Sequence, residues 1–376
     1  MRCSPKSIAN RTNCPKACEF AMIRALIPTC LLLGMIGSLC SGADIPAFTD
    51  PDEARADFQI QGEYIGKVGG ELPVGIQVIA LGSGEFEGVL YVGGLPGAGW
   101  NESTVYHLKG KTQDGRTLFH GVHGERLMFV NANFSGSVED GVFSGEAHMF
   151  RNRLDDVKFR FDKVLRKSPT LGARPPFDSG AIILFDGMNV DEWQKGRLVE
   201  DRLLDVGTTS KRDFGSVRIH MEFCCPFMPT ARGMQRGNSG IYVKQEWVVQ
   251  IVDSFGWHHE NRKFERLSKF GRCGGIHEMI GPRINMSYPP LSWQTYDIVF
   301  TSAKFDAANN RVAPAMMTVR HNGVVIHDKY VLPPVPPGRD ASQSKEGLPG
   351  PIYLQDHGNP VRFRNIWVIQ QHMDRP

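Results

Sequence analysis

The sequence predicts an all-β protein in two parts: a smaller β-rich N-terminal domain followed by a two-sheet sandwich. Three observations carry this. Short runs of β-branched and aromatic residues recur along the chain, Asp-Gly and Asn-Gly turn dipeptides separate several of them, and almost no stretch shows helical periodicity. The 376 residues include 41 Gly and 24 Pro, with 41% hydrophobic and 22% charged content, which fits a turn-rich globular chain long enough for more than one core.

The first element is a leader. Met22-Ile23-Arg24, an apolar run at 25–40 centred on Leu31-Leu32-Leu33, and the small residues Ser41-Gly42-Ala43 follow the order of a secretory signal peptide, with Met22 as an alternative start. Residues 1–43 are therefore expected to be removed and the protein to be secreted or periplasmic. Cleavage after Ala43 is favoured over lipoprotein anchoring at Cys40, because Leu39 sits where a small residue should precede a lipidated cysteine. The leader carries five basic residues against one acidic, so removing it moves the formal balance from +3 to −1. The apparent basicity thus gives no reason to expect nucleic acid. No later window is apolar enough for a membrane helix, so no integral membrane segment is expected in the mature chain. Five of the eight cysteines also leave, and the remaining Cys224, Cys225 and Cys273 permit at most one bridge. Adjacent cysteines without a second pair do not make a zinc knuckle.

Residues 44–165 form the N-terminal β module. Strand-like runs at 75–81 and 84–92 are followed by Asp114-Gly115 and Asp140-Gly141, each leading into another run, as in successive hairpins of a meander. Residues 166–180 contain Pro169, Pro175 and Pro176 without periodicity and are expected to be a linker. The second domain spans 181–372. Its strands are expected at 181–185, 217–223, 240–243, 247–252, 296–300, 316–320 and 324–326, with His321-Asn322-Gly323 as a hairpin turn. The polar span 254–271 reads as a long loop, and Trp193, Trp247, Trp293 and Trp367 as core residues.

The closing stretch, 350–367, holds the densest chemistry. A period-two strand puts Gln355 and His357 on one face, Gly358-Asn359-Pro360 turns the chain, and Arg362 and Arg364 then share a face opposite Phe363, Asn365 and Trp367. Across a hairpin, a guanidinium would stand near His357. Histidine moves protons near neutral pH and arginine steadies an oxyanion, so His357 with Asp356, Gln355 and Arg364 forms a candidate site. The plain alternative is a structural hairpin network. Upstream, Gln250 interrupts a buried strand that ends at Asp253; the glutamine is either a ligand contact or a partner for backbone groups at a sheet edge. Asn238 and Tyr242, at the entry to the preceding strand, are candidates for facing a ligand. His258, His259 and His277 are ordinary loop residues unless a metal draws on them. No nucleophile elbow, dinucleotide fingerprint or helical zinc motif is present.

Residues 181–370 resemble the 3-keto-disaccharide hydrolase domain family. The resemblance rests on Leu184-Phe185-Asp186-Gly187 followed by Trp193, on 237–242 (Gly-Asn-Ser-Gly-Ile-Tyr), on 249–254 (Val-Gln-Ile-Val-Asp-Ser), on Cys273-Gly274-Gly275-Ile276, on 293–297 (Trp-Gln-Thr-Tyr-Asp) and on the closing stretch. It implies a concanavalin A-like jelly-roll sandwich and cleavage of glycosides oxidised to a ketone at sugar carbon 3. It also implies a carbohydrate substrate and no organic cofactor, with a divalent metal left open and its ligands unknown. Catalytic roles then fall to His357, Asp253 and Arg364, and substrate contacts to Gln250, Gln355, Asn238, Tyr242 and Asp356. Two positions depart from the family pattern: Val248 stands where many relatives carry a carboxylate, and His277 where they carry tyrosine or another residue. The rival classes are a non-catalytic carbohydrate-binding sandwich and a structural cell-surface module, which the fold alone does not separate from an enzyme.

Overall fold

The computed structural model describes residues 45–54, 56–102, 105–122, 134–148, 156–257, 269–276, 279–334 and 347–371. Residues 1–43, expected to be a leader, and His258, His259 and His277 lie outside the described residues. Residues 45–376 cluster as one compact unit.

The meander closes on itself. Eight antiparallel strands, β1 (Gly62–Val68), β2 (Leu72–Gly82), β3 (Glu85–Val92), β4 (Val105–Gln113), β5 (Arg116–Gly121), β6 (Ser135–Glu139), β7 (Val142–His148) and β8 (Asp156–Val164), pair in sequence order. β1 pairs with β8 to complete a barrel, which removes both sheet edges. Burial along β5 alternates strictly between exposed and buried. The barrel interior is filled rather than hollow: the Phe143 ring meets Tyr64, Phe119, Phe134, Phe159 and Phe161 at centroid separations of 4.9–6.3 Å. Gly110 is required there, because a Cβ would stand 2.3 Å from Phe119 Cε1. The expected Asp114-Gly115 and Asp140-Gly141 turns have positive φ at both residues, as tight hairpins demand. Helix α1 (Ala56–Ile60) precedes the barrel, and Phe58 packs with Phe48 and Phe227 against its core.

The remaining strands are β9 (Ile182–Phe185), β10 (Trp193–Gln194), β11 (Leu198–Val199), β12 (Leu203–Leu204), β13 (Thr208–Phe214), β14 (Val217–Cys224), β15 (Ser239–Val243) and β16 (Trp247–Ile251). After them come β17 (Trp293–Thr301), β18 (Lys304–Phe305), β19 (Arg311–Ala313), β20 (Met316–His321), β21 (Val324–Val331), β22 (Gly350–Leu354) and β23 (Arg362–Gln370). They build a five-stranded sheet, ordered β10-β13-β22-β15-β16, and an eight-stranded sheet, ordered β11-β12-β23-β14-β17-β20-β21 with β9 also on β23. Ile241, Val249 and Leu354 from the smaller sheet and Ile219, Phe223 and Phe363 from the larger share one buried cluster, so the two sheets pack face to face as a sandwich. Trp193, Trp247 and Trp367 are buried, whereas Trp293 is half-buried and stacked on Arg364. Cys224, Cys225 and Cys273 are free thiols.

One expectation about connections changes. β22 and β23 do not form a hairpin: the turn at 358–360 carries the chain from one sheet to the other. Residues 166–180 connect β8 of the barrel to β9 of the sandwich. They lie as a strap along the outer face of the larger sheet, where Thr170 Oγ1 donates to Asp297 (2.9 Å), the Gly172 amide to Glu222 (2.5 Å), and Trp367 Nε1 to Ala173 O (3.0 Å). At the strap's start, Arg166 forks onto Glu63 of the barrel at 2.5 and 2.6 Å and stacks over Tyr288 of the sandwich. Pro-rich composition marks a chain that cannot join a ladder, but it does not prevent side chains on a neighbouring sheet from satisfying that chain.

Candidate functional site

Register aligns two rows of side chains on the outer face of the five-stranded sheet. Gln194, Thr209, Tyr353, Tyr242 and Val248 stand opposite one another across β10, β13, β22, β15 and β16. The next row contains Gln355, Gly240 and Gln250: the Gln355 amide donates to Gly240 O at 2.9 Å, and Gly240 pairs with Gln250. Two residues along a strand separate the rows by roughly 7 Å. The alternate residues Ile241, Val249 and Leu354 enter the core, which fixes this face outward.

Gly240 is the bare floor of the arrangement. A Cβ there would come 2.6 Å from Val248 Cγ2 and 3.0 Å from Gln355 Oε1, so glycine lets both side chains converge over the backbone. Gln250 is buried, and its Nε2 donates to Asn238 Oδ1 (2.8 Å) and to the carbonyls of Ser239 and Ile251 (3.0 Å each). It therefore satisfies backbone groups and also holds Asn238 in place. The Asn238 amide in turn donates to Asn359 Oδ1 (2.7 Å), and Ser239 Oγ to Gln355 O (2.7 Å), which ties the turn after β22 to the entry of β15. Asp356 Oδ1 accepts from the Gly358 amide (2.7 Å), an Asx turn that leaves the adjacent His357 exposed at the rim. Among the described residues, the side chains of Gln355, His357 and Tyr242, Gln250 Oε1 and Asn238 Nδ2 have no hydrogen-bond partner. None of these atoms is sealed from solvent.

The structure thus brings six expected residues together: Gln355, His357, Asp356, Gln250, Asn238 and Tyr242. It separates the other two. Arg364 lies on the larger sheet, donating from Nε to Glu222 (2.7 Å) and stacked 3.9 Å over Trp293, with the sandwich core between it and the open face. The expected face of this strand is also altered. Asn365 has φ +45°, and the register against β14 shifts there, so this bulge puts Arg364, Asn365 and Trp367 together facing the strap. Asp253 is buried with both oxygens engaged: Oδ2 takes Arg236 Nε at 2.8 Å and Oδ1 the Phe255 amide at 3.2 Å. Arg236 continues to Ala80 O of the barrel, which makes Asp253 a brace at the barrel–sandwich seam.

Thr209, Gln194 and Tyr353 join the site without having been expected there. Tyr353 had a legible signal, since it shares the parity of Gln355 and His357. Thr209 and Gln194 sit on strands whose neighbours only the sheet order reveals. Among the described residues, no group of three or more His, Cys, Asp or Glu is arranged to hold a metal ion.

Three solved structures of candidate glycosyl hydrolases from Parabacteroides distasonis are similar to the chain. One is 27% identical, covering 51% of this chain and 84% of its own, with a TM-score of 0.43. A second is 16% identical over 52% and 95%, with a TM-score of 0.37, and a third 18% identical over 51% and 99%, with a TM-score of 0.34. No curated protein matches. The family described as the 3-keto-alpha-glucoside-1,2-lyase-like domain matches residues 180–369, half of the chain, which runs from the end of the strap through β23 and includes both rows of the open face. By that match the protein belongs to the 3-keto-alpha-glucoside-1,2-lyase-like domain family.

Proposed function

We infer that the open face of the five-stranded sheet cleaves glycosides carrying a ketone at carbon 3 of the glycosyl unit. Family membership supports a glycoside-related function. The observation that carries the site is the set of unspent hydrogen-bonding groups around bare Gly240, with His357 free at the rim. A 3-ketone acidifies the C2 proton, so one base suffices to begin the reaction. His357 takes that proton, and the electron pair passes into the C2–C3–O system as an enolate. The C1–O bond then breaks, the enolate pair forms C1=C2 as the C3 ketone is restored, and the departing oxygen takes a proton from water while His357 returns its own to solvent. Water adding across C1=C2 completes a net hydrolysis. Gln355 Nε2 and Asn238 Nδ2 are the side-chain donors for the enolate oxygen, replacing the role expected of Arg364. The paired carboxylates of ordinary glycosidases have no part in this route.

The test uses the full chain, a 3-keto-α-glucoside and its unoxidised parent in deuterated water, with and without chelator. The expected result is cleavage of the keto substrate alone, deuterium at C2 of the product, and a loss of about 10²–10⁴-fold in turnover for His357→Ala. Equal cleavage of the parent, or full turnover by the variant, would overturn the reading. Saturable binding without turnover would instead identify a carbohydrate-binding sandwich.

A further inference from the structure

We propose that the row formed by Val248, Tyr242 and Tyr353 is a leaving-group subsite for flat apolar aglycones, aryl groups above all. The proposal rests on the elimination reading only for which row holds the glycosyl unit. The polar row offers Gln355, Gln250 and the bare Gly240, whereas in the row roughly one sugar ring away along the strands the part over β22, β15 and β16 is carbon-rich, with Thr209 and Gln194 beyond it on β13 and β10. The Tyr242 and Tyr353 rings lie 5.8 Å apart at 43°, a contacting pair that makes an aromatic platform. Val248, itself buried, flanks the row beyond Tyr242, and Pro351 lies two residues before Tyr353 on the same face of β22. The Tyr353 hydroxyl accepts from the Asp356 amide at 3.4 Å, so this ring reaches back toward the polar row and bridges the two. A glycoside seated with its C2 proton toward His357 sends its C1 substituent along the strands over this platform. A second sugar there would leave several hydroxyls facing carbon, an unfavourable exchange for water, while an aromatic ring finds faces to stack on. A carboxylate in place of Val248 would reverse that preference; valine, with its Cγ2 directed over Gly240, keeps the row apolar.

Calorimetric titration of the full chain with phenyl, methyl and glucosyl α-glucosides tests this without requiring turnover. Phenyl glucoside is expected to bind about tenfold more tightly than methyl glucoside, with the disaccharide no tighter than methyl. Tyr353→Ala should erase the preference for phenyl over methyl glucoside. Val248→Asn provides a second variant at the other end of the row and should weaken phenyl binding selectively. Disaccharide binding equal to or tighter than phenyl, no binding of any of the three, or an unchanged ratio in both variants would overturn the proposal. Preference without cleavage of the keto substrates would refute the elimination reading alone, and cleavage without preference would refute the aryl subsite alone.

Discussion

Both sheets of the sandwich carry a polar cluster on their outer face, and the two clusters are opposites. On the larger sheet, His220 Nδ1 lies 2.9 Å from Asp297 Oδ1, its ring stacks on Trp367, and Glu222 takes Arg364, Asn365 and the Gly172 amide. His220 and Glu222 are essentially sealed by the strap. On the smaller sheet Gln355 and Gln250 pair through their backbones, while the side chains of Gln355 and His357 and the Gln250 Oε1 keep hydrogen-bonding capacity unspent. A dense group of titratable side chains is therefore no guide to a site by itself. What separates a brace from a binding face is whether the groups have already been satisfied by one another.

The largest expected effect breaks the brace. Glu222→Ala leaves His220, Arg364, Asn365 and the strap amide without their common acceptor and should cost about 3–5 kcal/mol, read as a shift in denaturant midpoint at constant slope. Activity per folded molecule should stay near wild type. A matching loss on the other face would take a different form: Gln355→Ala is expected to lower turnover on a 3-keto-glucoside about 10²-fold, with stability changed by less than about 1 kcal/mol. If Gln355→Ala destabilised the protein as much as Glu222→Ala, the two faces would not differ as argued.

The pH dependence of the brace has a definite sign. Burial alone would lower the His220 pKa, but hydrogen bonds and charge from Asp297 and Glu222 outweigh it and raise the group above its ordinary value. Burial likewise opposes ionisation of Glu222, yet its bonds to His220, Asn365, Arg364 and the Gly172 amide bring it down to about 2. The histidine's contribution is complete below its unfolded pKa of roughly 6.5 and fades as pH rises through the raised folded value. The glutamate's contribution is present above its unfolded pKa and fades as pH falls toward about 2. Melting temperatures from pH 3 to 9 should peak between those limits. His220→Gln should remove the alkaline decline, and persistence of that decline would assign it to another group. The smallest effect is expected for Phe177→Ser on the strap, whose ring is 95% exposed, with a change within about 0.5 kcal/mol.

Much of the fold was legible because its signals are local. Asp114-Gly115, Asp140-Gly141 and Asn322-Gly323 adopt the positive-φ turns their composition demands, and the expected sandwich strands fall within a few residues of those observed. The site was legible in part. Gln355 and His357 follow from strand parity, and their union with Gln250, Asn238 and Tyr242 matches the dispersed blocks that carry the family resemblance. Arg364 was misplaced for two physical reasons: a short Gly-Asn-Pro turn can close a hairpin or cross between sheets with the same residues, and a one-residue bulge at Asn365 changes parity without any local signature.

The sequence alone determined the all-β class, the two β bodies, the pairing of Gln355 and His357 by strand parity in the closing stretch and the apolar identity of position 248. Each depends on residue type and short-range periodicity. Only the tertiary structure decided that the meander closes into a filled barrel, that the proline-rich segment is a bound strap, and that Arg364 and Asp253 brace the fold while His357 stands beside an open floor. Those outcomes depend on which strands become neighbours, and neighbours distant in sequence are chosen by the burial of whole faces, a property that no local run of residues contains.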